Sequence, residues 1–247
     1  MNNINGWQLP IPILYEDNHL IAVHKPSGLL IQGDKTGDIT LIDLIKSYLK
    51  EKYQKPGNVF LGLIHRIDRP AAGIVVFAKT SKALSRMNQT FHDRKVRKIY
   101  LAIVEHRPPI NEGLLTHYLN KNEKNNKTYV SDIEKKGYQK AELYLSFITS
   151  SEKYHLIGIE LHTGRHHQIR AQLSHLGSTI RGDLKYGAHR SLPNGGIDLL
   201  AYHLEFPHPI SGEIIFLTTQ IPDNNPWQFF KIPAEKWLEK YIIDDYK

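Results

Sequence analysis

The sequence predicts an α+β fold, a mixed, largely antiparallel sheet with helices flanking it. Two observations carry this reading. Short β-rich runs outnumber helical ones along the 247 residues, and several of them follow one another with no helix between. A purely parallel sheet needs a crossover between each pair of strands, so adjacent strand runs point to antiparallel pairing with helices packed on the sheet.

The elements follow in order. Leu20–His24 is a short apolar strand stopped by the turn sequence Lys25-Pro26-Ser27-Gly28. Thr40–Tyr53 places Leu41, Leu44, Ile45, Tyr48 and Leu49 at helical spacing. Phe60–Ile64 and Gly73–Ala78 are β-rich and flank the segment His65–Ala72. Ser81 is expected to cap a helix carrying Leu84, Met87 and Phe91 on one face. Ile99–Val104, Ala141–Ile148, Tyr154–Leu161, Leu199–Phe206 and Glu213–Thr218 read as strands. Arg165–Leu176 reads as a helix with Gly177 as its stop. The polar run 120–137, with Asn122, Asn125 and Asn126, reads as a loop or a loose hairpin and not as a domain boundary.

A hydrophobic fraction of 40% and a charged fraction of 23% place the chain among globular proteins with a sizeable core. Without cysteine, disulfides, thiolate catalysis and Cys-ligated zinc are excluded. Met1–Pro12 lacks the pattern of a signal peptide, and no apolar stretch approaches the roughly 20 residues of a membrane span. A cytoplasmic protein with no membrane partner is the expectation. The formal charge of +7 is concentrated. Residues 79–98 hold Lys79, Lys82, Arg86, Arg94, Lys95, Arg97 and Lys98 against Asp93 alone, and residues 163–190 hold Arg165, Arg170, Arg181, Lys185 and Arg190 against Asp183 alone. Clustered cations suit a polyanion such as nucleic acid, and equally two solvated faces.

Three segments can carry chemistry. In His65–Gly73 an extended backbone would project Arg66 and Asp68 to one side and His65 and Ile67 to the other. An arginine and a carboxylate then share one face at a strand end, as a functional pair or as an ion pair fixing a loop. In Arg97-Lys98-Ile99-Tyr100 a tyrosine beside cations can stack on a base, donate a proton, or simply pack in a strand. In Leu161–Arg170 a strand ends, Gly164 turns the chain, and a helix start with Arg165 at its mouth favours an anion. His162, His166, His167 and His175 are taken to lack a nearby Asp or Glu ligand and form no H-E-x-x-H, so they read as polar histidines in a basic, RNA-facing loop and not as metal ligands.

In combination these segments resemble the RluA family of RNA pseudouridine synthases. The family's H-R-L-D-x-x-T-S-G appears as His65–Gly73, with Ile67 in the leucine place, and its T-G-R-x-H-Q-I-R as Thr163–Arg170. The acidic pair and K-P-x-G match Glu16-Asp17 and Lys25–Gly28, K-x-Y matches Lys98–Tyr100, and G-D-x-x-Y-G matches Gly182–Gly187. The resemblance spans residues 12–220 and implies an N-terminal extension over 1–11 and a pseudouridine synthase catalytic domain over 12–247. It departs at Ala71 and Ala72, where the family has Thr and Ser, so two hydroxyls are missing. The S4-type RNA-binding domain that some relatives carry before the catalytic domain is expected to be absent.

The resemblance implies an isomerase that breaks the uridine glycosidic bond, turns the uracil and rejoins it through carbon 5. No cofactor and no metal is called for, and the partner is structured RNA, ribosomal or transfer, with the protein a monomer. Asp68 is implied as the essential carboxylate, Arg165 as its ion partner and Tyr100 as the residue packing on the uracil. Arg66 is implied to fill the space the flipped base vacates. Lys95, Arg97, Lys98 and Arg170 are expected to contact RNA. Two competing readings are a catalytically inactive RNA-binding protein that keeps the fold and a metal-dependent hydrolase using the histidines.

Overall fold

The computed structural model describes residues 9–33 and 37–245, so residues 1–8 of the expected extension lie outside the described residues. The chain forms two compact units. The first holds the described residues through Val96 together with His203–Thr219; the second holds Arg97–Tyr202 and the described residues from Gln220 onward.

In the first unit, β1 (Ile13–Glu16) pairs antiparallel with β2 (Leu20–Lys25), which pairs with β4 (Ala72–Ala78) from Leu20 opposite Ala78 to Lys25 opposite Gly73. β2 and β4 are apolar almost without interruption because both faces are buried. Phe60–Ile64 contributes only the two-residue β3 (Gly62–Leu63), paired with the end of β4. Helix α1 (Leu41–Lys52) starts at a capping box: the Asp43 amide donates to Thr40 Oγ1, and the Thr40 amide to the Asp43 carboxylate. Helix α2 (Ser81–His92) is capped by Thr80 and not by Ser81. Thr80 is extended and its Oγ1 reaches the Ala83 amide at 3.2 Å, which makes Ser81 the first helical residue. Ala83 and Met87 of α2 pack with Leu20, Ala22, Ile74 and Val76 in the core. The hairpin of β10 (Leu199–Pro207) and β11 (Ile214–Thr218) adds Leu204, Phe206 and Leu217 to that core, and pairs His203 with Thr218 through Pro207 with Ile214.

The second unit lines up β5 (Arg97–Val104), β9 (His155–Leu161), β8 (Gln139–Ser150), β6 (Glu112–Asn122) and β7 (Lys127–Ser131), each antiparallel to the next. The polar run 120–137 is thus largely a regular hairpin. The side-chain oxygens of Asn122 and Asn125 accept from the amides of Lys124 and Lys127, and Asn126 takes a left-handed conformation. Asparagine supplies both features, which is why a polar stretch can form a tight turn. Helix α3 (Gln168–His175) is shorter than expected because Thr163–His167 form a fixed turn ahead of it. Helix α4 (Trp227–Asp245) buries Trp227, Phe230, Ala234 and Leu238. Trp227 Nε1 donates to Asp198 at 2.8 Å, and Trp237 lies where a Cβ on Gly158 would be. The observed class is the expected one, α+β with helices flanking a largely antiparallel sheet.

Candidate active site

The first unit presents Asp68 on a segment between β3 and β4 that is held from several sides. Ile67 is buried and Arg66 exposed, as an extended backbone requires, and Asp68 is half-buried. His65 Nε2 accepts the Val76 amide at 3.1 Å, which puts the ring proton on Nδ1, and the ring stacks on Phe91. After Asp68 the chain turns back, the Ala71 amide donating to the Asp68 carbonyl at 3.1 Å. That bond is between backbone groups, so Ala71, buried among its neighbours, keeps it without a hydroxyl.

The Lys25–Gly28 turn supplies the rest of the support. The Gly28 amide donates to the Arg69 carbonyl at 2.8 Å, Arg69 Nε to the Gly28 carbonyl at 3.0 Å, and Ser27 Oγ to the Pro70 carbonyl at 2.7 Å. Gly28 sits at φ 86°, a conformation that favours glycine. Beneath this double tie lies Lys25, fully buried, its Nζ donating to the carbonyls of Pro26 (2.9 Å), Leu29 (3.0 Å) and Arg69 (3.0 Å). Burial pulls the Lys25 ammonium down to about 8, the Asp68 carboxylate pulls it back up, and Arg69 pushes it down. Sequence reasoning took Lys25 only as part of a turn pattern. The signal that could have found it is a cation closing an apolar strand just before a turn, where bent backbone offers several carbonyls to one ammonium.

The second unit carries Tyr100 and Arg165. Tyr100 lies on β5 opposite Ile159 and is nearly buried. The Thr163–Gln168 turn is a closed set of hydrogen bonds. Thr163 Oγ1 donates to Gln168 Oε1 at 2.8 Å, the Arg165 amide donates to the same oxygen at 3.0 Å, and Gln168 Nε2 donates to the Glu142 carbonyl at 3.0 Å. Arg165 is exposed, with Nε on the Lys140 carbonyl at 3.2 Å, so its amide is held by a side chain and its guanidinium by backbone. Two histidines brace the turn. Thr128 Oγ1 donates to the His166 carbonyl, so His166 Nδ1, 2.8 Å away, must donate to Thr128. Tyr186 Oη accepts the Thr128 amide at 2.8 Å and shares a hydrogen bond of 3.0 Å with His167 Nδ1. Burial first, then Arg170 and His166, push the His167 imidazole down to about 2, so it stays neutral.

Several expected RNA-contacting cations are turned inward. Arg170 is corrected from surface contact to interior strut. It is 4% exposed and its guanidinium meets Asp183 twice, at 2.7 and 2.8 Å. Arg97 is half-buried, bonded to Glu160 at 3.2 Å and stacked on the Tyr241 ring. Lys79 is bonded to Glu16, and Arg181 to Asp198. Arg66, Lys95 and Arg165 are exposed and Lys98 half-buried. The assumption that the histidines lack a carboxylate also fails for His175, whose Nε2 lies 2.7 Å from Asp132.

The family model for RNA pseudouridylate synthase matches residues 19–175, which include Asp68, Tyr100 and Thr163–Arg170. The ribosomal large subunit pseudouridine synthase D of Zymomonas mobilis is 30% identical over 87% of this chain and 71% of its own. An uncharacterized RNA pseudouridine synthase of Aquifex aeolicus is 30% identical over 97% of this chain and 76% of its own. In fold, human RNA pseudouridylate synthase domain containing 4 aligns with a TM-score of 0.71 at 24% identity, covering 85% of this chain and 88% of that one. With a family model over more than half its length and relatives of this similarity, the chain belongs to the RNA pseudouridylate synthase family and is an RNA pseudouridine synthase.

Proposed function

We propose that this synthase isomerises specific uridines of ribosomal or transfer RNA, with the Asp68 carboxylate as its catalytic group. The reaction breaks the bond from N1 to the ribose, forms one from C5 to the same carbon, and moves the C5 proton to N1. No atom is gained or lost, and the balance needs no electron donor or acceptor. The observation that carries the assignment of Asp68 is the support beneath it. A fully buried ammonium ties its own turn, through Pro26 and Leu29, to the carbonyl of Arg69 next to Asp68, and lies within electrostatic reach of the Asp68 carboxylate. Such construction holds a reactive group in place, as catalysis by positioning requires. By the family pattern, Tyr100 packs on the target uracil, Arg165 serves as ion partner to the carboxylate and Arg66 takes the place of the flipped base. The names of relatives such as the Zymomonas enzyme favour large-subunit ribosomal RNA as the first substrate to test.

The experiment is pseudouridine mapping of total RNA from cells with and without the gene, followed by restoration with wild-type or Asp68→Asn protein. Wild type should restore a small set of sites. Asp68→Asn keeps the shape and removes the charge, so it should bind the same RNA and restore none. Restoration by the variant would reject Asp68 as the catalytic carboxylate, and sites confined to neither RNA class would reject the substrate assignment.

A further inference from the structure

The second unit brings together three side chains that the reaction does not use. His117 lies on β6 and is 7% exposed; Asp132 follows the last residue of β7; His175 is the last residue of α3. His175 Nε2 is 2.7 Å and His117 Nε2 3.6 Å from the same Asp132 oxygen, and the two rings stand edge to face with centroids 5.2 Å apart. One ligand atom from each lies within 4.8 Å of the other two.

A fourth residue gives the cluster its meaning. Gln172, fully buried on α3, points its side-chain nitrogen at His117 Nδ1, 2.8 Å away, while its Oε1 has no hydrogen-bond partner among the described residues. In that arrangement His117 carries its proton on Nε2, too far from Asp132 for a good hydrogen bond, and a buried carbonyl oxygen goes unpaired. Turning the amide over, which exchanges two atoms of nearly equal size, gives the carbonyl oxygen a donor and frees His117 Nε2 of its proton, with the amide nitrogen taking the unpaired position. Gln172 Oε1 then accepts from His117 Nδ1–H, and the Nε2 lone pair of His117 faces Asp132 and His175. An imidazole fixed through its far nitrogen, its near nitrogen bare beside a second imidazole and a carboxylate, is how a metal-ligating histidine is held.

We propose that His117, Asp132 and His175 form a binding site for a divalent ion of the zinc class, with Gln172 as the positioning residue behind His117. Two imidazoles, one carboxylate and water suit Zn²⁺ better than Mg²⁺ or Ca²⁺, which prefer all-oxygen shells. The ion joins the end of β7 to the end of α3 and takes no part in the bond exchange.

The test is titration of the full chain with Zn²⁺ and, separately, with Co²⁺. One equivalent of Zn²⁺ should bind and raise the melting temperature, and Co²⁺ should give visible absorption bands that Zn²⁺ abolishes. Asp132→Asn and His175→Gln, both on the unit's periphery, should each weaken binding by about tenfold or more while the metal-free variants melt as wild type does. Gln172→Glu should preserve or strengthen binding, and Gln172→Leu should weaken it by ~10–100-fold, the range for residues behind a ligand. His189→Gln, in the separate cluster of Glu105, His106 and His189, should change nothing. Absence of stoichiometric binding, or binding lost in His189→Gln but kept in Asp132→Asn, would overturn the site.

Discussion

Lys25 ends an apolar strand and turns its ammonium inward onto three carbonyls. Lys25→Met fills similar volume but leaves those carbonyls without their donor, and should cost roughly 2–3 kcal/mol of stability. Because the Arg69 carbonyl is one of the three, turnover should also fall in this variant although Asp68 is untouched. Urea unfolding and single-turnover assays on one RNA would check both; a stable, fully active Lys25→Met would remove Lys25 from the support of Asp68. At this scale the sequence was legible where strand alternation fixes exposure, as at exposed Arg66 beside buried Ile67. It was silent about partners far along the chain. Nothing near Arg170 reveals that Asp183, thirteen residues on, takes its guanidinium, and nothing near Arg97 reveals Glu160. Burial decides such pairings, and burial is a property of the fold.

Glu16, the last residue of β1, ties several elements of the first unit together. Its carboxylate receives Lys52 at 2.7 Å and Tyr48 at 2.9 Å from α1, Tyr53 at 2.8 Å just beyond that helix, and Lys79 at 2.9 Å just past β4. Burial alone would raise its pKa, but the donors, Lys52 and Lys79 ahead of Tyr53 and Tyr48, outweigh it and hold the carboxyl down at about 2. The folded value lies below the ordinary 4.5, so the unfolded chain takes up the proton first. The stability from Glu16 is therefore complete above about pH 4.5 and lost as pH falls towards 2. Glu16→Gln should be less stable than wild type at pH 7, and the gap should close on acidification. Circular dichroism across pH 7 to 2 would show it, and a gap that stays constant would refute the ionic account. Helix periodicity made α1 and α2 legible but not their caps, Thr40 going unassigned and Thr80 being mistaken for Ser81. Helix α4 was not: Pro233 interrupts it, and the exposed Phe229 and Ile232 blur the stripe of Trp227, Phe230, Ala234 and Leu238. Tertiary packing on Gly158 and Asp198 supplies what local pattern lacks.

For the molecule as a whole, pairing inside the fold leaves the formal charge of +7 unchanged but decides which cations can reach a phosphate. Lys79, Arg97, Arg170 and Arg181 are bonded to Glu16, Glu160, Asp183 and Asp198. Lys95→Gln combined with Lys98→Gln should flatten the dependence of RNA affinity on salt by roughly 0.7–0.9 log units for each phosphate no longer neutralised. Arg97→Gln should instead lower stability and leave that slope nearly unchanged. Affinity measured across a salt series for both variants would separate them, and a flattened slope for Arg97→Gln alone would put the cationic surface elsewhere. The path of the chain has one more consequence. The first unit is discontinuous: its core needs Leu204, Phe206 and Leu217, which arrive only after the 106 residues between Val96 and His203 have been made. During synthesis the nascent strands β2 and β4 therefore wait, with one side of their apolar surface incomplete, until residue 219 emerges. The intervening segment from Arg97 holds five consecutively paired strands, all of them made before that. The second unit waits as well, for Trp227, Phe230, Ala234 and Leu238 of α4, so each unit is finished by residues made only after the bulk of the other.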